Sequence, residues 1–207
     1  MNLLDKLLRR RPPVSDLQGL ADFVDENAAF LVQKGMFEYS RARAGHYSKV
    51  MFGELEFQNA IESSRWRAYP LGLAMVGEVA VDVVEQLSGE ERRSVVSAVT
   101  DIVLSVFDRY PVPSAVDADT WRQSRRTLAV HLSQIALHPA KRAMDIPETL
   151  AESYFEMMPI HARHRGQDYP TLKNYLRVTL CNIHDELTKR IDAQAVAEQL
   201  QVRAPLT

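Results

Sequence analysis

Residues 71–88 read LGLAMVGEVAVDVVEQLS, and the way this stretch is read decides the fold class. Leu73, Val76, Val79, Ala80, Val83, Val84 and Leu87 leave room for a single polar stripe, made by Glu78, Asp82 and Glu85. The β-branched content would suit a buried strand, but acids recurring at intervals of four and three mark one face of a helix. A helix that is apolar over all but one stripe belongs at the centre of a helical domain.

Proline punctuates the chain on both sides of this stretch. None occurs between Pro13 and Pro70, whereas Pro111, Pro113, Pro139, Pro147, Pro159 and Pro170 fall where an apolar periodicity stops or restarts. Upstream, Ser15 and Gln18 form a capping box for a helix carrying Leu17, Leu20, Val24, Ala28 and Leu31 at helical spacing, with Phe23, Phe30 and Phe37 alongside. It should run to Ala44 and stop at Gly45, with Arg41 and Arg43 at the negative end of its dipole. A second helix is expected over His46 to Arg65, with Tyr47, Val50, Met51, Phe57 and Ile61 inward. Tyr69, before Pro70, should be extended.

Downstream, Ser88 and Glu91 read as a capping box for a helix facing Val95, Val99, Ile102, Val106 and Tyr110 inward. Asp117 or Asp119 caps the next, with Trp121, Leu128, Leu132 and Ile135 buried and Pro139 as its end. Asp145 with Glu148 opens a shorter helix that Pro159 closes. Asp168 starts the last one, whose seam runs from Leu172 through Leu176, Leu180, Ile183 and Leu187 to Ile191, with fraying beyond Ala197. The expectation is an all-α, single-domain bundle of six to seven helices over residues 14–201, its topology left open. A short basic amphipathic segment (1–13) precedes it and a frayed end (202–207) follows.

Charge narrows the function classes. Residues 1–110 carry 13 basic and 16 acidic side chains and residues 111–207 carry 12 and 11, so neither half has a nucleic-acid footprint. Cys181 is the lone cysteine, which suits a reducing compartment; with no 18-residue apolar run and no signal peptide, a cytoplasmic protein is expected. Half of the sixteen aromatics lie between Phe30 and Tyr69 among Lys34, Arg41, Arg43, Lys49, Arg65 and Arg67, a mixture that could stack bases or an anion. Amphipathic packing explains most of them, and Glu38, Glu54, Glu56 and Glu62 nearly cancel the charge.

The sharper candidate is the segment holding His161, Arg163, His164 and Arg165 between Pro159 and Gly166. A proline-bounded loop can hold cations in place for an anion or an acidic partner, although a solvated helix end explains the same residues. His161 and His164 stand at helical spacing, but no zinc quartet, HExxH or ExxH pair accompanies them, so no metal or other cofactor is expected. Cys181 and His184 stand one turn apart with Asp185 next, yet a thiol beside Leu180 and Ile183 reads as packing rather than as a nucleophile. His131 and His138 share a helix face and read as packing too.

At the N-terminus, Leu3, Leu4, Leu7 and Leu8 form an apolar edge followed by Arg9, Arg10 and Arg11, a miniature interfacial helix that could touch an anionic bilayer or a partner groove, or dock on its own bundle. No G-x-S-x-G elbow, P-loop or G-x-G-x-x-G occurs. The leading expectation is therefore a non-enzymatic helical interaction protein that binds a protein partner or itself. The first alternative is a small-molecule binder or enzyme with an interhelical pocket lined by Trp66, Tyr154, Met157 or Met158. The second is a peripheral membrane factor acting through residues 2–11.

Overall fold

The stretch that decided the fold class is the second half of a single long helix. The computed structural model describes residues 12–203, and among them α1 (Leu17–Ala44), α2 (Ser48–Met51), α3 (Leu55–Ser88), α4 (Arg92–Phe107), α5 (Ala118–Gln134), α6 (Ala151–Glu156), α7 (Tyr169–Arg190) and α8 (Ala193–Arg203) make an all-α bundle. Short 3-10 turns follow α1 and α5 and precede α6. The basic segment of residues 1–11, with Leu3, Leu4, Leu7, Leu8, Arg9, Arg10 and Arg11, lies outside the described residues.

Helix α3 is the hub: it packs on α1, α4, α5, α7 and α8. At 34 residues it spans about 51 Å. Its course through Pro70 corrects the expected break and the expected extended Tyr69. A proline inside a helix costs about 3 kcal/mol through its missing N–H and ring clash. Ala68, Tyr69 and Pro70, and every residue from Gly72 to Val84, are buried, and each Val- or Leu-sized side chain so buried returns about 1.5–3 kcal/mol. Burial therefore outweighs the break. Gly72 allows α1 to come close, because a Cβ there would lie 2.8 Å from Val32 Cγ2 and 3.1 Å from the Ala28 carbonyl oxygen.

Other boundaries differ in detail from expectation. Asp16, not Ser15, caps α1, its Oδ1 accepting from the Gly19 N–H at 2.6 Å. Gly45 ends the helix at φ 53°, as expected. The predicted His46–Arg65 helix is split by a turn at Phe52–Glu54, and Tyr47 and Val50, expected inward, are exposed. Ser88 does not cap α4, whose N-cap residue is Glu91: it closes α3, donating to the Val84 carbonyl at 2.7 Å and accepting from the Glu90 N–H at 3.3 Å, with Gly89 left-handed behind it at φ 74°. Asp117 caps α5 through the Thr120 N–H. Around Asp145 the chain forms a 3-10 turn (Ala143–Thr149) and not an α-helix, with Asp145 paired to Arg142. The last helix of the expected set ends at Arg190, and a further helix, α8, follows to Arg203, burying Val196 and Ala197 and also Leu200, which lies where fraying was expected.

The two ends of the described chain meet. Val14 N–H donates to the Arg190 carbonyl and Asp192 N–H to the Val14 carbonyl, both at 2.9 Å, an isolated bridge that seats the start of α1 on the α7–α8 corner. At the far end of α1 the opposite holds. No residue from 45 to 67 is buried, so α2 and the first third of α3 stand as an arm beside the C-terminal turns of α1.

Candidate functional site

The cationic segment singled out in the sequence becomes a tight turn, with a 3-10 turn at Ala162–His164 and Gly166 at φ 55°. Arg165 builds it. Its Nε donates to the Ile160 carbonyl at 2.6 Å, its Nη1 to that of Phe155 at 2.8 Å, and its Nη2 to those of Glu156 and Met158 at 2.9 Å. The guanidinium also lies over the Phe155 ring, 5.6 Å from its centroid. These carbonyls belong to the end of α6 and the turn after it, groups a helix terminus leaves without intrahelical partners. Arg165 is thus spent on the turn itself.

Arg43, in the last turn of α1, ties the same turn to the bundle: its Nη2 donates to the His164 carbonyl and its Nε lies 3.2 Å from Asp168 Oδ2. Asp168 also accepts from the Tyr39 hydroxyl at 2.9 Å, and burial together with that carboxylate pushes the phenol up to about 12. Asp168 thus opens α7 without capping it by side chain. Between Arg43, the α2 residue Met51, Phe57 of α3 and the segment from Pro159 to His164 lies a cleft of about 360 Å³. His161 and His164 both line it, their ring centroids 6.3 Å apart. Arg163, exposed, donates from its backbone N–H to His161 Nδ1 at 3.3 Å and from its Nε to His164 Nε2 at 3.0 Å.

A second open cleft, about 300 Å³, separates α3 from α5. Pro70 and Leu71 face Thr127, Leu128 and His131 across it, with Arg67 at its edge. Of the four residues expected to line an interhelical pocket, Met157 does so here. Tyr154 is fully buried, its hydroxyl shared between the Leu31 and Val32 carbonyls, and Met158 is in the core. Trp66 donates to Glu62 at 2.6 Å and packs edge-on against Tyr69, Tyr110 and Trp121.

No family model matches this chain, and no curated protein or solved structure matches it either.

Behind the second cleft lies a set of buried charges whose sequence signal was one polar stripe on α3. Glu78, 1% exposed, has Lys141 Nζ at 2.8 Å and His138 Nε2 at 3.8 Å from its Oε1. One turn on, Asp82 accepts from Arg92 Nη1 at 2.9 Å, and Glu85 takes the same nitrogen. Burial raises the Asp82 carboxyl above its usual range, with Arg92 opposing it. Burial lowers His131, which faces Glu78, Lys141 and His138. The ion pairs join α3, α4 and the 138–141 connection, and their chemistry is that of a structural clamp.

The Cys181 thiol is half-buried, and His184 Nδ1 lies 3.5 Å from Asp185 Oδ1. Among the described residues no group of three His, Cys, Asp or Glu side chains is placed to hold a metal, and no helix is long and apolar enough to cross a membrane.

Proposed function

We propose that this chain is a non-catalytic, helical interaction protein of the cytoplasm that pairs with a second copy of itself through the arm formed by the end of α1, α2 and the start of α3. The observation that carries the reading is the apolar surface of the arm. Tyr47 is 69% exposed and Leu55 71%, and Phe37 and Val50 join them. Phe37 and Phe52 meet at 4.7 Å, and Phe52 meets Phe57 at 5.2 Å, so aromatic contact runs from α1 to α3 through the turn after α2. Exposed apolar surface of this kind marks an interaction site.

Charge supports a second copy as the occupant. Lys34, Arg41, Lys49 and Arg65 share the arm with Glu38, Glu54, Glu56 and Glu62, four of each sign once Arg43 is set aside as the partner of Asp168. A patch of balanced sign meets its own copy across a two-fold axis without a net like-charge field, whereas a strongly charged partner gains nothing from it.

Native mass spectrometry and sedimentation read the result directly. The wild type is expected as a dimer, and Tyr47→Glu with Leu55→Glu as a monomer of unchanged helical content, its melting temperature no longer dependent on protein concentration. A wild type that stays monomeric, alone or in complex with a different polypeptide, overturns the self-pairing.

A further inference from the structure

The cleft beneath the arm has a chemistry of its own. Its floor is apolar, made by Met51, Phe57 and Ile160, and its polar wall is made by Arg43, His161 and His164, with no carboxylate among the lining residues. The hydrogen bonds around the two imidazoles settle which nitrogens carry protons. Backbone N–H and guanidinium N–H groups only donate, so His161 Nδ1 and His164 Nε2 are acceptors toward Arg163. That leaves His161 Nε2 and His164 Nδ1 as the nitrogens able to donate. Each ring keeps one nitrogen that Arg163 does not use, and Arg43 lines the same cleft.

The wall is also fixed in place before any ligand arrives. Arg165 holds the turn by four bonds to carbonyls, and Arg43 ties it to α1. Groups ordered in advance lose less entropy on binding. Donors on one side and an aromatic ring with aliphatic neighbours on the other match a single ligand shape.

We propose that this cleft binds a small aromatic oxyanion, an aryl phosphate or aryl carboxylate, with its ring against Phe57 and Met51 and its oxygens on Arg43, His161 and His164. The cleft volume of about 360 Å³ falls at the small end of ligand sites. The ring supplies apolar contact, and the oxyanion takes charge-assisted hydrogen bonds, about twice as strong as neutral ones.

The test is an NMR titration of the full chain with phenyl phosphate and with benzoate, reading the ring protons of His161 and His164 together with the ring protons of Phe57, which the histidine variant keeps. Phenol and inorganic phosphate are run beside them. Saturable one-to-one shifts are expected with either aromatic anion and not with phenol, and inorganic phosphate should bind at least about tenfold more weakly for lack of the ring contact. The double variant His161→Ala with His164→Ala, both exposed and so compatible with folding, should weaken the aromatic anions about tenfold or more. Phe57→Ala should weaken phenyl phosphate and leave inorganic phosphate unchanged. Absence of saturable shifts, or binding that the histidine variant leaves intact, overturns the proposal. Inorganic phosphate binding as well as phenyl phosphate overturns the aromatic part.

Discussion

Gly35 lies directly under the Tyr154 hydroxyl: a Cβ at position 35 would stand 2.6 Å from that oxygen and 2.8 Å from Tyr175 Cε1. Both tyrosines reach α1 at this point, Tyr154 donating to Leu31 and Val32 carbonyls at 3.3 and 3.2 Å and Tyr175 to Leu31 at 2.9 Å. Glycine here is a requirement of close approach, since the helix has ordinary negative φ at this position. Gly35→Ala is expected to cost about 2 kcal/mol by overpacking, and Tyr154→Phe about 1 kcal/mol for its hydrogen bonds. Because the closer of the two clashing atoms is the hydroxyl oxygen, the double variant should be less unstable than the sum, with a coupling of about 1 kcal/mol, the Tyr175 ring contact remaining. Urea unfolding of the four proteins measures this; strict additivity would sink it.

Arg92 is the second point where one residue holds several elements. It reaches Asp82 and Glu85 on α3 with Nη1, and its Nε donates to the His138 carbonyl at 2.8 Å beyond α5. Its side chain and that of Asp82 are both close to buried, 13% and 8% exposed. Arg92→Met should therefore destabilise by about 3–5 kcal/mol, the usual penalty for stranding a buried charge. Adding Asp82→Leu should recover much of it, because the more buried of the two stranded carboxylates is then gone. A double variant no better than the single one, by denaturant midpoint, would contradict this account.

Much of the core was legible because helical periodicity survives whatever the tertiary setting: Val95, Val99, Ile102 and Val106, or Leu172, Leu176, Leu180, Ile183 and Leu187, point where their spacing requires. The misreadings at Pro70, Ser88 and Ser15 share a cause. A local signal was given its local meaning, but burial on both sides of Pro70 and the left-handed Gly89 behind Ser88 outvoted it. The arm was misjudged because amphipathic spacing tells which residues share a face and not whether anything covers it, so Tyr47 and Val50 were expected inside. The cationic turn was visible as a cluster, but its division of labour was not. Only three dimensions show that Arg165 serves its own chain, and that Arg43, more than a hundred residues away, closes the wall of the cleft.

That division predicts an asymmetry between Arg and Lys at position 165. The guanidinium satisfies four carbonyls at once, a fork that a single ammonium cannot copy. Arg165→Lys is expected to lose about 2 kcal/mol and to raise amide hydrogen exchange across residues 155–166 nearly as much as Arg165→Ala does. Arg163→Ala, whose parent side chain is exposed, should leave global stability within about 0.5 kcal/mol. Equal protection in wild type and Arg165→Lys would show that the turn is held by something else.

His131 sets a pH dependence whose sign can be worked out. Its imidazole sits half-buried in the wall of the α3–α5 cleft, and burial pulls its titration below the ordinary 6.5, with Glu78 opposing and Lys141 and His138 reinforcing. A histidine held below its unfolded value binds protons more readily in the unfolded chain, so the stability it leaves intact above 6.5 is lost as pH falls from 6.5 through the folded value. Asp82 works in the other direction: raised by burial above 3.8, it costs stability as pH climbs from that value. Comparing wild type with His131→Gln removes the Asp82 contribution, which both proteins share. The wild type is expected to lose more stability than the variant as pH drops below 6.5, read from unfolding midpoints at a series of pH values. Parallel curves would mean that His131 keeps its ordinary titration and that the cleft wall is wetter than its geometry implies.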